Sequence, residues 1–392
     1  MTGARTDAEE IDWYVDDLMR RGIRRVHVLA WRDLDDPDAG GSEVHADEFM
    51  RRWADRGLSV LHRTSAAAGL PAIDRRHGYD VIRRGSRYSV FPRTIVSEVT
   101  RRMGPYDALV EIWNGVPWFS PVWCRRPLIT MFHHVHGPMW DQVMPGPLAP
   151  AGRLLESRLA PPLYRRDLTV TPSEATRDEL LELGFHPDRV RAFPNGVDPR
   201  FRPGGTRTDH PSLIAVGRLA PVKQFDRVIA AAAAARRRVP GLTLDIVGGG
   251  PLRDELHQQI ERLGATEWIR LVGKVSHDDL VDLYRSAWLV VSGSIAEGWG
   301  LSLTEGAACG TPAVATDIRG HRSSVRHGLS GILVPAVALG DSIADIVSDA
   351  PRMDTLRAGA LEWASQLTWD ASALGITAAL HDAVVVAQRA GG

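Results

Sequence analysis

The chain has 392 residues, more than one ordinary domain holds, with 44% apolar and 24% charged residues, the balance of a globular protein. A formal net charge of -1 excludes a global polyelectrolyte attraction to nucleic acid. Cys124 and Cys309 lie far apart in no CxxC, which argues against a disulfide framework or zinc site and fits a reducing cytoplasm, and neither a secretory leader at the polar N-terminus nor an unbroken apolar run of about 18 residues is present.

Residues 7–22 place Ile11, Tyr14 and Leu18 on one face of an amphipathic helix. Residues 25–31 (RVHVLAW) read as the first strand, and a helix is expected over 44–56. Between them, Gly40 and Gly41 form a strand-to-helix turn of the kind that lets backbone approach an anion. The acidic run DDPD at 35–38 is read as solvated rather than metal-binding. Further strands are expected at 58–62 and 79–83. Eight arginines from Arg75 to Arg102 face only Asp80 and Glu98, which predicts a solvated basic face, or a patch for anionic lipid or a phosphorylated acceptor. Strands follow at 106–113 and 127–132. The second leads into His133, His134 and His136, which alternate in direction if extended and so spread rather than converge on a metal. After a strand at 167–171 and the turn PNGVD at 194–198, residues 199–211 are rich in Pro, Gly, Arg and Asp and make the best linker in the chain.

Beyond the linker, a strand at 212–216 is followed by Arg218 and Lys223, two fixed cations suited to a diphosphate. The GGG turn after the strand at 242–247 lacks GxGxxG spacing and a following lysine, so it is neither a dinucleotide fingerprint nor a phosphate loop. A strand ends near Gly273, just before Val275. The apolar run 288–292 is a buried parallel strand, and EGWGLSLTEGAACGTP follows at 297–312 with a helix starting near Gly300 or Leu301. Glu297 and Glu305 thus flank a glycine-rich turn at a helix N-terminus, where phosphate and electron-rich oxygens collect. An ionised carboxylate accepts from sugar hydroxyls. Two more strands (312–316 and one from Gly331) and helices at 342–350, 353–367 and 370–390 complete an alternation that implies two parallel, doubly wound sheets.

The motif Glu297-x7-Glu305, with GGSE at 40–43 and GRLAPVK at 217–223, resembles the retaining GT-B glycosyltransferases of family 4. The resemblance covers residues 24 to about 375 and is strongest over 210–335. It implies two Rossmann-like domains facing a central cleft: 1–200 for the acceptor, 201–368 for the nucleotide sugar, and a 369–392 helix packing back on the first. It also implies a hexose transfer from a nucleotide diphosphate sugar to an acceptor hydroxyl of a lipid-linked sugar, an envelope glycan or a natural product. Glu297 would touch the hexose and Glu305 the ribose. The backbone of Gly298, Trp299, Gly300 and Leu301 would face sugar and diphosphate, Val275 the base, and Gly40 and Gly41 the donor phosphates. Arg218 and Lys223 would stabilise the leaving diphosphate, so that no metal and no further cofactor is required. His133 best matches the family histidine at the hexose, with His134 and His136 as alternatives. Gln224 departs from the family, which has glycine after the lysine. Membrane-associated members imply a cytoplasmic enzyme with peripheral contact to the inner membrane face through the Arg75 to Arg102 stretch. The rival functions are a nucleotide-sugar epimerase or hydrolase of the same fold and a non-catalytic nucleotide-sugar-binding partner.

Overall fold

A computed structural model describes residues 5–37, 39–143, 146 and 148–391 of the chain. Two compact units form: residues 1–196 with 369–392, and residues 197–368.

The first unit is built on eight strands: β1 (Arg25–Leu29), β2 (Ser59–Thr64), β3 (Ile73–Arg76), β4 (Tyr79–Arg83), β5 (Ala108–Trp113), β6 (Leu128–Phe132), β7 (Leu168–Thr171) and β8 (Val190–Ala192). They lie in the order β3-β4-β2-β1-β5-β6-β7-β8. Every pair is parallel except β3 with β4, an antiparallel hairpin at the edge. Its turn, His77-Gly78, has both residues at positive φ, the geometry a tight hairpin requires. β5 and β6 are buried along their whole length, as strands covered by helices on both faces must be. The helices Asp7–Arg20 and Gly41–Asp55 cover one face and Val90–Val99 lies on the other, under Val90, Phe91 and Trp118. The last helix, Trp369–Gly391, belongs to this unit and packs on the first two: the Trp53 indole donates to Thr377 Oγ1 at 2.8 Å, and Arg52 pairs with Asp370. By length and composition the segment Ala350–Ala390 could cross a membrane, yet half of its most apolar window is buried inside the fold, and Ala373, Ile376, Ala379, Leu380 and Val384 form part of the core.

The second unit has six strands: β9 (Ser212–Val216), β10 (Thr243–Val247), β11 (Ile269–Gly273), β12 (Leu289–Ser292), β13 (Ala313–Thr316) and β14 (Gly331–Val334). Their order, β11-β10-β9-β12-β13-β14, is all parallel. The order reverses between β9 and β12, and in such sheets ligands bind at the carboxyl ends of the strands at that switch point. The loops there are 217–224 and 293–300, the two segments that carry Arg218, Lys223 and Glu297.

The basic run needs correction. Arg83 is buried at the end of β4, its Nε 2.5 Å from Asp33, with Asp35 and Asp74 on its other nitrogens. Arg76 pairs with Asp35 as well. Part of the acidic run therefore neutralises part of the basic one, because a buried guanidinium requires carboxylate partners. Arg75, Arg84, Arg87, Arg93, Arg101 and Arg102 are exposed. Asp38, the last acid of the run, lies outside the described residues.

Candidate active site

In the second unit the turn before the helix Leu301–Ala308 depends on glycine. Gly300 caps the helix at φ +106, in the left-handed region, and directs the first amides of the helix into the loop. Gly320, in the helix Arg319–Ser324, lies so close that a Cβ would meet the Glu297 carbonyl oxygen at 2.1 Å. Trp299 turns its ring into the core with Leu303 and Val325, so what it offers the site is backbone. Gly298 and Leu301 are half-buried beside it.

Lys223 Nζ lies 2.5 Å from Glu297 Oε1, and the Ser294 hydroxyl donates to the same oxygen at 2.8 Å. Among the described residues Glu297 Oε2 has no donor, which leaves one carboxylate oxygen for a ligand hydroxyl. Burial pushes the Glu297 carboxyl up, but Lys223, His321 and Ser294 outweigh it and hold the group below its ordinary value. It is ionised at neutral pH, as an acceptor must be. The two loops are tied together further by the Ile295 amide, which donates to the Val222 carbonyl at 3.0 Å. Gln224 adopts φ 49, ψ 48 at the start of the helix Phe225–Arg236. This left-handed conformation explains why glycine is at home there and why Gln224 departs from the pattern at a cost. Arg218 is exposed on the same loop, after β9.

Glu305 sits one helical turn further in. Tyr284, fully buried, donates its hydroxyl to Glu305 Oε2 at 2.9 Å. Burial, with Asp198 nearby, raises the Glu305 carboxyl to about 7 despite that bond. Val275 is half-buried just past β11. The residues brought together in this unit are thus Lys223, Glu297 and the Gly300 turn, with Glu305 behind. Tyr284, Ser294 and His321 were not singled out in the sequence. Tyr284 reaches Glu305 and His321 reaches Ser292 only through the fold, whereas Ser294 lies three residues before Glu297 in the same loop, where a lone serine carries no pattern.

In the first unit the loops at the carboxyl ends of β1, β5 and β6 hold the other residues. Glu43, buried, accepts the Gly40 amide at 2.7 Å and closes the turn into the helix that begins at Gly41. Asn114 donates to the Ser42 hydroxyl at 3.4 Å, linking the β5 loop to that turn. His133 directly follows β6 and is buried edge-on to His45, ring centroids 5.4 Å apart. Neither of its ring nitrogens has a partner among the described residues. Burial, reinforced by His45 and His134, holds it well below its ordinary pKa, so it is a neutral imidazole. His134 stacks on His136, which packs on Trp140, so the three histidines diverge. Glu156 organises this loop: it accepts the amides of His136 and Gly137, both at 2.9 Å, and the Trp140 indole at 3.0 Å. It lies in a π-helical turn, Leu155–Leu159, a feature that no sequence period announces.

Two doubly wound units, one carrying a carboxylate pair and a lysine around a helix N-terminus at the switch point, have the architecture of the GT-B fold. Comparisons with known proteins agree. Residues 198–363 match the family described as Glycosyl transferases group 1, and residues 39–201 match Glycosyltransferase Family 4. A D-inositol 3-phosphate glycosyltransferase of Kribbella flavida is 30% identical over 93% of this chain and 96% of its own. D-inositol 3-phosphate glycosyltransferase 1 of Catenulispora acidiphila is 31% identical over 88% of this chain and 92% of its own. Among solved structures, Anabaena HepE in complex with UDP-glucose aligns with a TM-score of 0.71 at 21% identity, covering 92% of this chain and 99% of that one. Sucrose-phosphate synthase from Thermosynechococcus elongatus aligns with a TM-score of 0.74 at 20% identity, over 90% and 97%. The chain belongs to glycosyltransferase family 4.

Proposed function

We propose that the chain transfers a hexose, with retention of configuration and without a metal, from a nucleoside diphosphate sugar to an acceptor hydroxyl. The observation that carries this reading is Glu297, ionised, anchored on one oxygen by Lys223 and Ser294 and open on the other, beside the amides of the helix Leu301–Ala308. Glu297 Oε2 accepts from a hexose hydroxyl, and Glu305 Oε1 from a ribose hydroxyl. Arg218, Lys223 and the helix amides carry the charge that develops on the diphosphate as the bond from the sugar's anomeric carbon to the phosphate oxygen breaks. The acceptor oxygen bonds to the anomeric carbon on the same face, and its proton passes to the departing phosphate. Fixed cations supply the charge that a divalent ion supplies in other transferases. The UDP-glucose seated on Anabaena HepE supports a donor of this class.

For the acceptor, the names of the relatives support a phosphate-bearing polyol. The first unit has the charge for one. Arg63, buried at the end of β2, donates to the carbonyl oxygens of Thr64, Ile82 and Arg84, and the charges of Arg84 and Arg93 lie close enough to lower its pKa further once burial has done so. The exposed arginines beyond, next to Tyr88, Val96 and Val99, suit the anionic inner face of a bilayer and a cytoplasmic enzyme working against it.

The test is turnover of UDP-, GDP-, ADP- and TDP-glucose with and without D-inositol 3-phosphate, following free nucleoside diphosphate and the anomeric proton of the product. The reading expects acceptor-dependent release and an α-linked product from an α-linked donor. Sugar release at the same rate without acceptor would make the chain a hydrolase or epimerase, and binding without turnover a non-catalytic partner.

A further inference from the structure

His321 is fully buried and touches no part of the surface, yet it lies directly beneath the donor loop. Its Nδ1 is 2.7 Å from the Thr316 carbonyl at the end of β13. A carbonyl only accepts, so Nδ1 carries the hydrogen and Nε2 of the neutral ring is an acceptor. The Ser292 hydroxyl, 3.2 Å from Nε2, fills it. Ser292 Oγ lies 3.2 Å from Ser294 Oγ, and the Ser294 hydroxyl donates to Glu297 Oε1. Thr316 clamps the other side, its hydroxyl donating to the Ser294 carbonyl at 2.6 Å. A Cβ built on Gly300 would stand 3.4 Å from His321 Cδ2, so the ring also floors the turn that opens the helix.

We propose that His321 is a positioning residue for Glu297, acting through Ser292 and Ser294 and through the Gly300 turn to aim the carboxylate at the donor sugar. The inference rests on Glu297 as the hexose contact. With the Ser292 hydrogen given to Nε2 and the Ser294 hydrogen given to Glu297, the link between the serines is the Ser294 amide, which donates to Ser292 Oγ at 3.5 Å, so His321 fixes Ser292 and Ser292 fixes the backbone that carries the Ser294 hydroxyl. Burial keeps the ring neutral, Lys223 acts in the same sense, and Glu297 and Asp317 act against it. A buried histidine with both nitrogens satisfied and its edge against a strained turn holds one geometry. Ser294 anchors Glu297 Oε1 opposite Lys223, and so fixes the direction of Oε2.

The experiment compares wild type with His321→Leu and His321→Gln. It uses whichever of UDP-, GDP-, ADP- and TDP-glucose stabilises the wild type and the matching nucleoside diphosphate. His321→Leu should raise the KM or lower the kcat for the sugar donor by about tenfold or more, since small misplacements at a reacting centre are costly. The affinity for the diphosphate alone, which lacks the hexose, should stay within about twofold, because it does not use Glu297. His321→Gln, whose amide oxygen can accept from Ser292, should recover most of the loss. Equal weakening of sugar donor and diphosphate would show a merely structural histidine and overturn the inference, as would unchanged donor kinetics. If His321→Leu does not fold, Ser292→Ala, which removes the group His321 holds and leaves the Ser294 hydroxyl in place, carries the same test. Failure of every nucleotide sugar to bind the wild type is a different result, and it removes the donor site itself.

Discussion

The two units present the same architectural feature, loops at the carboxyl edge of a doubly wound sheet, in opposite chemical states. In the second unit the charged groups are already arranged: Lys223 on Glu297, Tyr284 on Glu305, and a serine pair linking Glu297 to His321. In the first unit His133 is buried with both nitrogens unsatisfied among the described residues, and Arg63 donates only to carbonyl oxygens. A preorganised edge suits a ligand whose charge is constant across a family, such as a nucleoside diphosphate. Under the proposed function the open polar groups of the first unit, His133 among them, are left for the hexose and the acceptor. The contrast also separates two kinds of arginine in the first unit: Arg83, enclosed by three aspartates, holds the fold, whereas Arg84 and Arg93 face outward.

The largest expected effect breaks the first unit. Arg83→Met leaves buried Asp33 with only Arg76, 3.9 Å away, and should destabilise the protein by about 3 kcal/mol. A urea melt would show it, and a loss below about 1 kcal/mol would mean that water reaches the site. Lys223→Met attacks the second unit instead. It should lower stability by less than Arg83→Met, because Glu297 keeps the Ser294 hydroxyl and is partly exposed, yet lower kcat by about 10²–10³, the usual cost of losing a group that stabilises developing charge. A kcat within a factor of a few would put the diphosphate elsewhere.

A titration sharpens the comparison with a smaller effect. Glu305 is raised to about 7 from an ordinary value of 4.5. Between those values the folded chain holds a proton that the unfolded chain has released, so this group lowers stability as pH rises from 4.5 towards 7. Melting temperatures across that window should fall less steeply in Glu305→Gln than in wild type. Donor affinity should strengthen as pH rises through about 7, where the carboxylate becomes a full acceptor for ribose hydroxyls. A pH-independent affinity would detach Glu305 from the ribose. The smallest effect is at Gln224: glycine there relieves the left-handed backbone and should change stability by about 1 kcal/mol or less. A marked loss would show that the Gln224 side chain, which donates to the Pro221 carbonyl at 2.7 Å, outweighs the strain.

The alternation of apolar strands and helices was enough to read both sheets, because buried parallel strands leave continuous apolar runs such as 108–113 and 289–292. The short edge strand β3 was not legible: residues 73–76 are IDRR, without an apolar run, and the hairpin is declared only by His77-Gly78. The carboxylates and cations of the second unit were legible because they fall in contiguous motifs. Their supports Tyr284 and His321 were not, since a hydrogen bond between distant elements leaves no spacing in the sequence, and Ser294, though only three residues from Glu297, is a lone serine with no pattern around it. The fates of Arg76 and Arg83 were missed for the same reason. Charge counting along a segment gives no sign that Asp33, on another strand's loop, is the partner.

The central claim is a diphosphate site on the second unit, and the most direct measurement is thermal shift of wild type and Arg218→Ala with UDP, GDP, ADP and TDP. A ligand that binds only the folded state at 100 times its Kd adds about 2.7 kcal/mol of stability. The account predicts that one nucleotide raises the melting temperature of wild type by several degrees and that Arg218→Ala abolishes most of the shift. An equal shift in both proteins, or none in either with any of the four, would contradict it.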